Sequence, residues 1–266
     1  IDEFSINLYS TIGITIFPDD GATADELLQK SEQTMTLAKT ISRNQFQFYV
    51  ASVDSEMRER KHMEKDLSNA LSNNEFHIVF QPQIDYKDNS IIGAEVLLRW
   101  VHPTRGFVPP DIFIPIAEDN GSIIDIGNWV LDESCKQAAI WQAQGHFIKL
   151  AINLSAVQLK DSTIEKYIKD TLKKHQIAPQ YLEVEITETG VMEDVTKAIE
   201  TLENIKLYGV TTAIDDFGTG YSSLSYLKKL PIDKVKIDKQ FVHDLLVNED
   251  DTSIVNAVIQ LSKSLH

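Results

Sequence analysis

From residue 76 onward the chain alternates short apolar, β-branched runs with longer amphipathic ones, which limits it to folds whose parallel strands are joined by helical crossovers. The predicted strands are "FHIVFQPQ", "SIIGAEVLLRW", "IKLAINLS", "LEVEITE", "VTTAIDD" and "KVKIDKQFV". Between and after them run the predicted helices "IIDIGNWVLDESCKQAAIWQAQG", "TIEKYIKDTLKKHQ", "VTKAIETLENIKLYG", "SSLSYLKKL" and "DTSIVNAVIQLSKSLH". A shorter Pro-flanked segment precedes the first of these helices. The class is α/β, a sheet or a barrel. The first two strands depart from the rule, because only "IDYKDN" joins them and a parallel crossover needs a dozen residues or more. That pair is expected to be antiparallel.

The ionisable and amide residues of these strands are not scattered. Glu95 and Arg99 fall late in the second strand, Asn153 near the end of the third, and Glu185 and Glu188 toward the end of the fourth. Asp215 and Asp216 end the fifth, and Lys236 and Asp238 lie in the sixth. In a barrel of parallel strands the C-terminal ends share one mouth, where active sites form. Three carboxylates and one amide oxygen, from Glu95, Asn153, Glu185 and Asp215, suit a hard divalent ion such as Mg²⁺ or Mn²⁺. Without a cation, carboxylates so placed would repel and some would protonate. Asp216 allows one carboxylate to reach a second ion, and two-ion sites hydrolyse phosphate esters. Arg99, four residues after Glu95 and on the same side of its strand, can grip a phosphate with two parallel hydrogen bonds. Lys236 adds a positive charge for the attacking water or the developing negative charge.

Each residue also has a structural reading. Glu95 or Glu185 can be an ion-pair partner, Asn153 a helix cap, Lys236 a solvated lysine with Asp238 as its partner, and Arg99 a salt bridge to Glu95. Placement on successive strand ends favours the site. Trp129 and Trp141 read as core aromatics, His102 and Pro103 as a turn, and Cys135 as buried packing.

Composition narrows the partners. The 266 residues carry a formal net charge of −15, which argues against a general nucleic-acid or membrane-surface binder. One cysteine excludes an internal disulfide and a cysteine-rich metal site, and the seven histidines form no close ligand pair. No apolar run approaches the ~20 residues of a membrane span, and the opening "IDEFSINLYS" shows no targeting leader. Residues 1–50 read as a strand pair around one helix, "FSINLYSTIGITIF", "TADELLQKSEQTMTLAK" and "NQFQFYV". Residues 51–72 read as a solvated connecting helix with Met57, Met63, Leu67, Ala70 and Leu71 available for an apolar stripe. Residues 73–266 form the second domain.

Its segments "FQPQI", "GAEVLLRWVHPTRGFVPPDIFIPIAEDNGSI", "IGNWVL", "AINLSAVQL", "LEVEITET" and "AIDDFGTGYSSLSYLKKLPIDKVKIDKQFV" resemble the EAL domain, a family of cyclic di-GMP phosphodiesterases. The pieces "STIGITIFPDDGATADELLQKSEQTMTLAK" and "SRNQFQFY" resemble the C-terminal part of a GGDEF, or diguanylate cyclase-like, domain. The resemblance implies a modified TIM barrel with an antiparallel first strand, hydrolysis of cyclic di-GMP to linear pGpG, a two-ion Mg²⁺ or Mn²⁺ site, and a cytoplasmic setting. Glu95, Asn153, Glu185, Asp215 and Asp216 match the metal ligands, and Lys236 matches the catalytic lysine. Arg99 is taken as a substrate-phosphate contact and Asp238 as a second substrate-binding residue. Glu188 matches the glutamate that steadies the loop "FGTGYSSL" after the paired aspartates. Val96 stands where the family name has alanine, a mild change because its side chain points away from that of Glu95. The family closes its barrel with two further strand–helix units. The six strands here therefore predict a segment of a longer chain, cut at both ends and weakly active or inactive alone. A homodimer and an upstream sensory region are compatible partners. Two rivals remain at this point, a non-catalytic cyclic di-GMP receptor and an EAL-like scaffold or dimerisation module.

Overall fold

A computed structural model describes residues 9–41, 44–219, 224–243, 245 and 247–265, without the side chains of 40, 41, 52–54, 56, 57, 224, 225 and 265. By compactness the chain divides into Ile1–Asp66 and Leu67–His266. In the first unit β1 (Ile12–Ile14) and β2 (Phe46–Phe48) pair in parallel across α1 (Ala24–Ile41), with Ile12 opposite Phe46. The first predicted strand is thus observed over three residues only, and its positions 4–8 lie outside the described residues. The connecting helix is α2 (Ala51–Ala70), along which Met63, Leu67 and Ala70 are buried. The side chain of Met57 lies outside those described.

The second unit begins with β3 (Phe76–Ile84) and β4 (Ile91–His102), which pair antiparallel as the short connection requires. Then follow β5 (Gly106–Val108), α3 (Pro110–Asn120), α4 (Ile123–Ala143), β6 (Lys149–Leu154), α5 (Ala156–Lys160) and α6 (Ile164–His175). After a 3₁₀ turn come β7 (Leu182–Thr187), α7 (Glu188–Glu193), α8 (Val195–Leu207), β8 (Thr211–Phe217) and α9 (Leu224–Leu227). The remaining elements are β9 (Lys234–Ile237), α10 (Lys239–His243) and α11 (Glu249–Leu265). The sheet order is β3-β4-β6-β7-β8-β9, with β5 beside β4, and from β4 to β9 the neighbours along that path run parallel. Among the described residues β3 and β9 end that path, and β5 borders β4 alone.

Local chemistry explains the boundaries. Pro109 and Pro110 open α3, where a missing N–H is no loss, and Gly121 closes it at φ +80°. His102 is buried, and its Nδ1 accepts from the backbone N–H groups of Thr104 and Arg105, holding the β4–β5 turn. The predicted strand "KVKIDKQFV" is corrected: only Lys234–Ile237 is extended. Asp238 ends it, because its Oδ1 accepts from the Gln240 N–H at 2.7 Å and starts the helical turn of α10. In the core Phe76, Trp100 and Phe113 pack with ring centroids 5.5–5.8 Å apart. Trp129 joins Phe76 at 6.2 Å, Trp141 packs on Phe80 at 4.8 Å, and Cys135 is buried. Among the described residues no helix is long and apolar enough to cross a membrane.

Candidate functional site

Strand register brings the polar residues together. Asn153 lies opposite Glu185, Glu95 opposite Ala151, and Glu185 opposite Ala213, so β4, β6, β7 and β8 present their later residues at one level. Carboxylate oxygens of Glu95, Glu185 and Asp215 lie within 4.8 Å of one another. β9 sends Lys236 into their midst: its Nζ donates to Glu185 Oε2 at 2.5 Å, Asp215 Oδ2 at 2.7 Å and Glu95 Oε2 at 3.1 Å. Asn153 Nδ2 donates to Glu95 Oε1 at 3.1 Å. Asn153 therefore enters as a donor here, and a half-turn of its amide exchanges that for an acceptor.

The pair Asp215–Asp216 sits in a β-bulge. Ile214 faces Val235 and Phe217 faces Ile237, so two aspartates oppose the single Lys236. Asp216 takes φ +52°, a left-handed conformation that aspartate tolerates better than most residues. Its N–H donates to Asp215 Oδ1 at 2.9 Å. The two aspartates thus diverge. Asp215 joins Glu95 and Glu185, whereas Asp216 sits toward Asp238, and the pKa of Asp216 is pushed up to about 6 by burial and by the charges of Asp215 and Asp238.

Burial also pushes Glu185 up to about 7, against the pull of Lys236 and with the charges of Glu95 and Asp215 adding. Lys236 is held above the ordinary lysine range: burial opposes its charge, but the hydrogen bonds and charges of Asp215 and Glu185 outweigh it. The cluster sets three carboxylates around a single ammonium. Glu185 Oε1 is buried with no hydrogen-bond partner. A buried oxygen in that state is unfavourable unless a donor or a cation meets it. An all-oxygen donor set with an orphaned lone pair fits a hard divalent ion.

Glu188, buried at the start of α7, accepts from the Gly218 N–H at 2.8 Å and so ties the segment after β8 to the end of β7. Gly218 has φ +102°, with the ring edge of Phe241 against it. The loop "FGTGYSSL" expected beside the aspartates is seen through Thr219; residues 220–223 and the side chain of 224 lie outside those described.

Arg99 makes no ion pair with Glu95 among the described residues. It donates to the Leu98 carbonyl at 2.8 Å and, with Asn153, lines a cavity of about 560 Å³. Asp111 and Pro115 of α3 and Gly190 of α7 line it too, and sequence reasoning did not single them out. It also missed Glu183, fully buried two residues before Glu185, with Lys234 Nζ at 2.6 Å and Lys149 Nζ at 3.9 Å. The alternations "EVE" in β7 and "KVK" in β9 were the available signal.

A family model described as "EAL domain" matches residues 64–266. The bifunctional diguanylate cyclase/cyclic di-GMP phosphodiesterase MucR of Pseudomonas aeruginosa is 38% identical over 100% of this chain and 39% of its own length. The cyclic di-GMP phosphodiesterase NbdA of the same organism is 33% identical over 100% of this chain and 34% of its own. The chain thus spans just over a third of the length of these two relatives. Among solved structures, a PaMucR phosphodiesterase in complex with c-di-GMP matches with a TM-score of 0.73 at 40% identity, covering 77% of this chain and 83% of that one. The EAL enzyme Bd1971 with cAMP and cyclic-di-GMP bound matches with a TM-score of 0.77 at 28% identity, covering 92% and 65%.

Proposed function

The chain belongs to the EAL domain family, and on that premise we propose that the protein carrying it hydrolyses one phosphodiester of cyclic di-GMP to linear pGpG in bacterial second-messenger signalling. The observation that carries this reading is the meeting of Glu95, Glu185 and Asp215 around a buried oxygen without a partner. A relative named for this activity and a solved relative holding c-di-GMP support it.

Glu95, Asn153, Glu185, Asp215 and Asp216 would hold Mg²⁺ or Mn²⁺. Such ions supply an activated water and neutralise charge on the reacting phosphate. Arg99 would grip the substrate phosphate from the wall of the cavity, whose volume of about 560 Å³ lies in the ~300–1,000 Å³ range of small-molecule sites. Asp238 would contact substrate beside Asp216. Glu188 would keep the Gly218 segment in place over the aspartates, and Lys236 would face the attacking water. Residues 1–50 are proposed to be the C-terminal part of a GGDEF-like domain, 51–72 a linker helix and 73–266 the EAL domain. The MucR alignment spans the first unit as well as the second, and MucR is named as a bifunctional diguanylate cyclase/phosphodiesterase, which supports a cyclase-like segment ahead of the EAL domain.

The test is turnover of cyclic di-GMP by the protein, with Mn²⁺ or Mg²⁺ and with chelator, and chromatographic identification of the product. Linear pGpG should form only with metal. Outer-shell partners of metal ligands are commonly worth 10–100-fold, so Glu95→Ala should lower the rate by about 100-fold or more. Full activity in chelator, or wild-type rates in Glu95→Ala, would overturn the reading.

A further inference from the structure

We infer that Lys236 is the resident counter-ion of the carboxylate cluster, and that a divalent ion enters only by displacing its ammonium. This deepens the metal-site reading above and rests on it. The argument is a count of oxygens. The three carboxylates offer six, and Lys236 Nζ holds one from each, at 2.5, 2.7 and 3.1 Å. Glu95 Oε1 accepts from Asn153 and Asp215 Oδ1 from the Asp216 N–H. Only Glu185 Oε1 is unclaimed.

A lysine ammonium has three donors and no acceptor, and here each donor meets a different carboxylate. A hard divalent ion needs several oxygens at once, so one orphaned oxygen cannot hold it. The three carboxylate oxygens that already converge on a single point, one each from Glu95, Glu185 and Asp215, are the ones that face Lys236 Nζ. Two cations in contact with the same oxygens also repel, most of all at Glu185, which is fully buried. Metal entry and Lys236 release are therefore one exchange. It leaves the ammonium free to turn toward the substrate, and makes Lys236 a determinant of metal affinity as well as a group near the chemistry. The obvious expectation, that removing the lysine leaves metal binding unchanged, is reversed.

The experiment titrates the substrate-free protein with Mn²⁺ alone, following loss of the paramagnetic resonance signal of the aqueous ion. Lys236→Met and Lys236→Gln are compared with wild type, with circular dichroism as the check on folding. Removing the competing cation should tighten Mn²⁺ binding about tenfold or more. In wild type, Mn²⁺ should also raise the reaction of Lys236 with an amine-modifying reagent, read by peptide mass spectrometry. That second measurement does not depend on the variants folding. Equal or weaker Mn²⁺ affinity in folded variants, or Lys236 labelling that does not rise with metal, would overturn the exchange while leaving the metal site standing. Failure of wild type and variants alike to bind Mn²⁺ would overturn both.

Discussion

Replacing Gly218 with alanine is expected to strain the segment beside the paired aspartates by an amount that can be worked from two contacts. The first is backbone: Gly218 has φ +102°, where an L side chain is disfavoured by about 1–2 kcal/mol. The second is steric. A Cβ there would lie 2.9 Å from Cε2 of Phe241, whose side chain is 9% exposed and cannot swing into solvent without losing its packing. Forcing an atom into a packed site costs about 1 kcal/mol at its lower end. Alanine also restricts the unfolded chain, which returns about 0.4–1 kcal/mol. The net loss is about 1.5 kcal/mol, roughly a tenfold fall in the folding constant. Urea denaturation of wild type, Gly218→Ala, Phe241→Leu and the double variant measures it. The double variant should recover the steric part and keep the backbone part, a coupling that additive mutations lack. Turnover should fall more than stability implies, because Glu188 holds the same residue through its N–H at 2.8 Å. Gly218→Ala within about 0.5 kcal/mol of wild type, the usual range of neutral surface changes, would refute the reasoning.

Three further outcomes follow from other parts of the second unit. Burial would raise the pKa of Asp132, but the hydrogen bonds of Lys174 at 2.6 Å and His175 at 2.8 Å outweigh it and hold the carboxyl below its ordinary value of 3.8. A depressed folded pKa contributes stability that is present above the unfolded value and lost as pH falls through the folded one. Asp132→Asn should therefore have a lower urea midpoint than wild type at about pH 7, with the gap closing below about pH 4; a gap independent of pH would refute it. Cys135 is pushed up to about 12 by burial, with the charge of Asp132 adding, so disulfide reagents should label it far more slowly in native protein than in urea. Equal rates would contradict its burial. Leu202 in α8 is fully buried, and Leu202→Ala should lower stability by about 3 kcal/mol in chemical denaturation; a loss under about 1 kcal/mol would mean that the site collapses around it.

What the sequence made legible was periodic. Parallel strands bounded by helices announce themselves, and the residues at their C-terminal ends follow from counting, which is why Glu95, Asn153, Glu185, Asp215 and Lys236 were found together. Elements of three to six residues, such as β5, α5 and α7, carry too few periods to register. The bulge at Asp215–Asp216 depends on how β8 meets β9, a pairing no local pattern encodes. Asp238 was read into a strand because its turn rests on a single side-chain bond to the Gln240 N–H. The cavity wall came from α3 and α7 folding back over the sheet, which is a matter of tertiary packing. The three-way grip of Lys236 needed four strands in register at once.

The stacked lysine–glutamate pairs of β7 and β9 also decide how the sheet can assemble. Side chains repeat every two residues along a strand, so a slip of two is silent to hydrophobic patterning and is the error that patterning alone cannot correct. Here it is not silent. Sliding β9 one way brings Lys234 up to Glu185 and leaves Glu183 with the more distant Lys149 alone. Sliding it the other way brings Lys236 down to Glu183 and sets Asp238 against Glu185, charge against like charge. Either misalignment leaves a buried carboxylate with only a distant cation or with a like charge, a larger penalty than a lost surface pair. A slip of one presents Val235 and Ile237, or Asp233 and Val235, to the two glutamates and is worse. The ladder that readies the chemistry therefore also proofreads the strand, and β9 has one seat in the sheet.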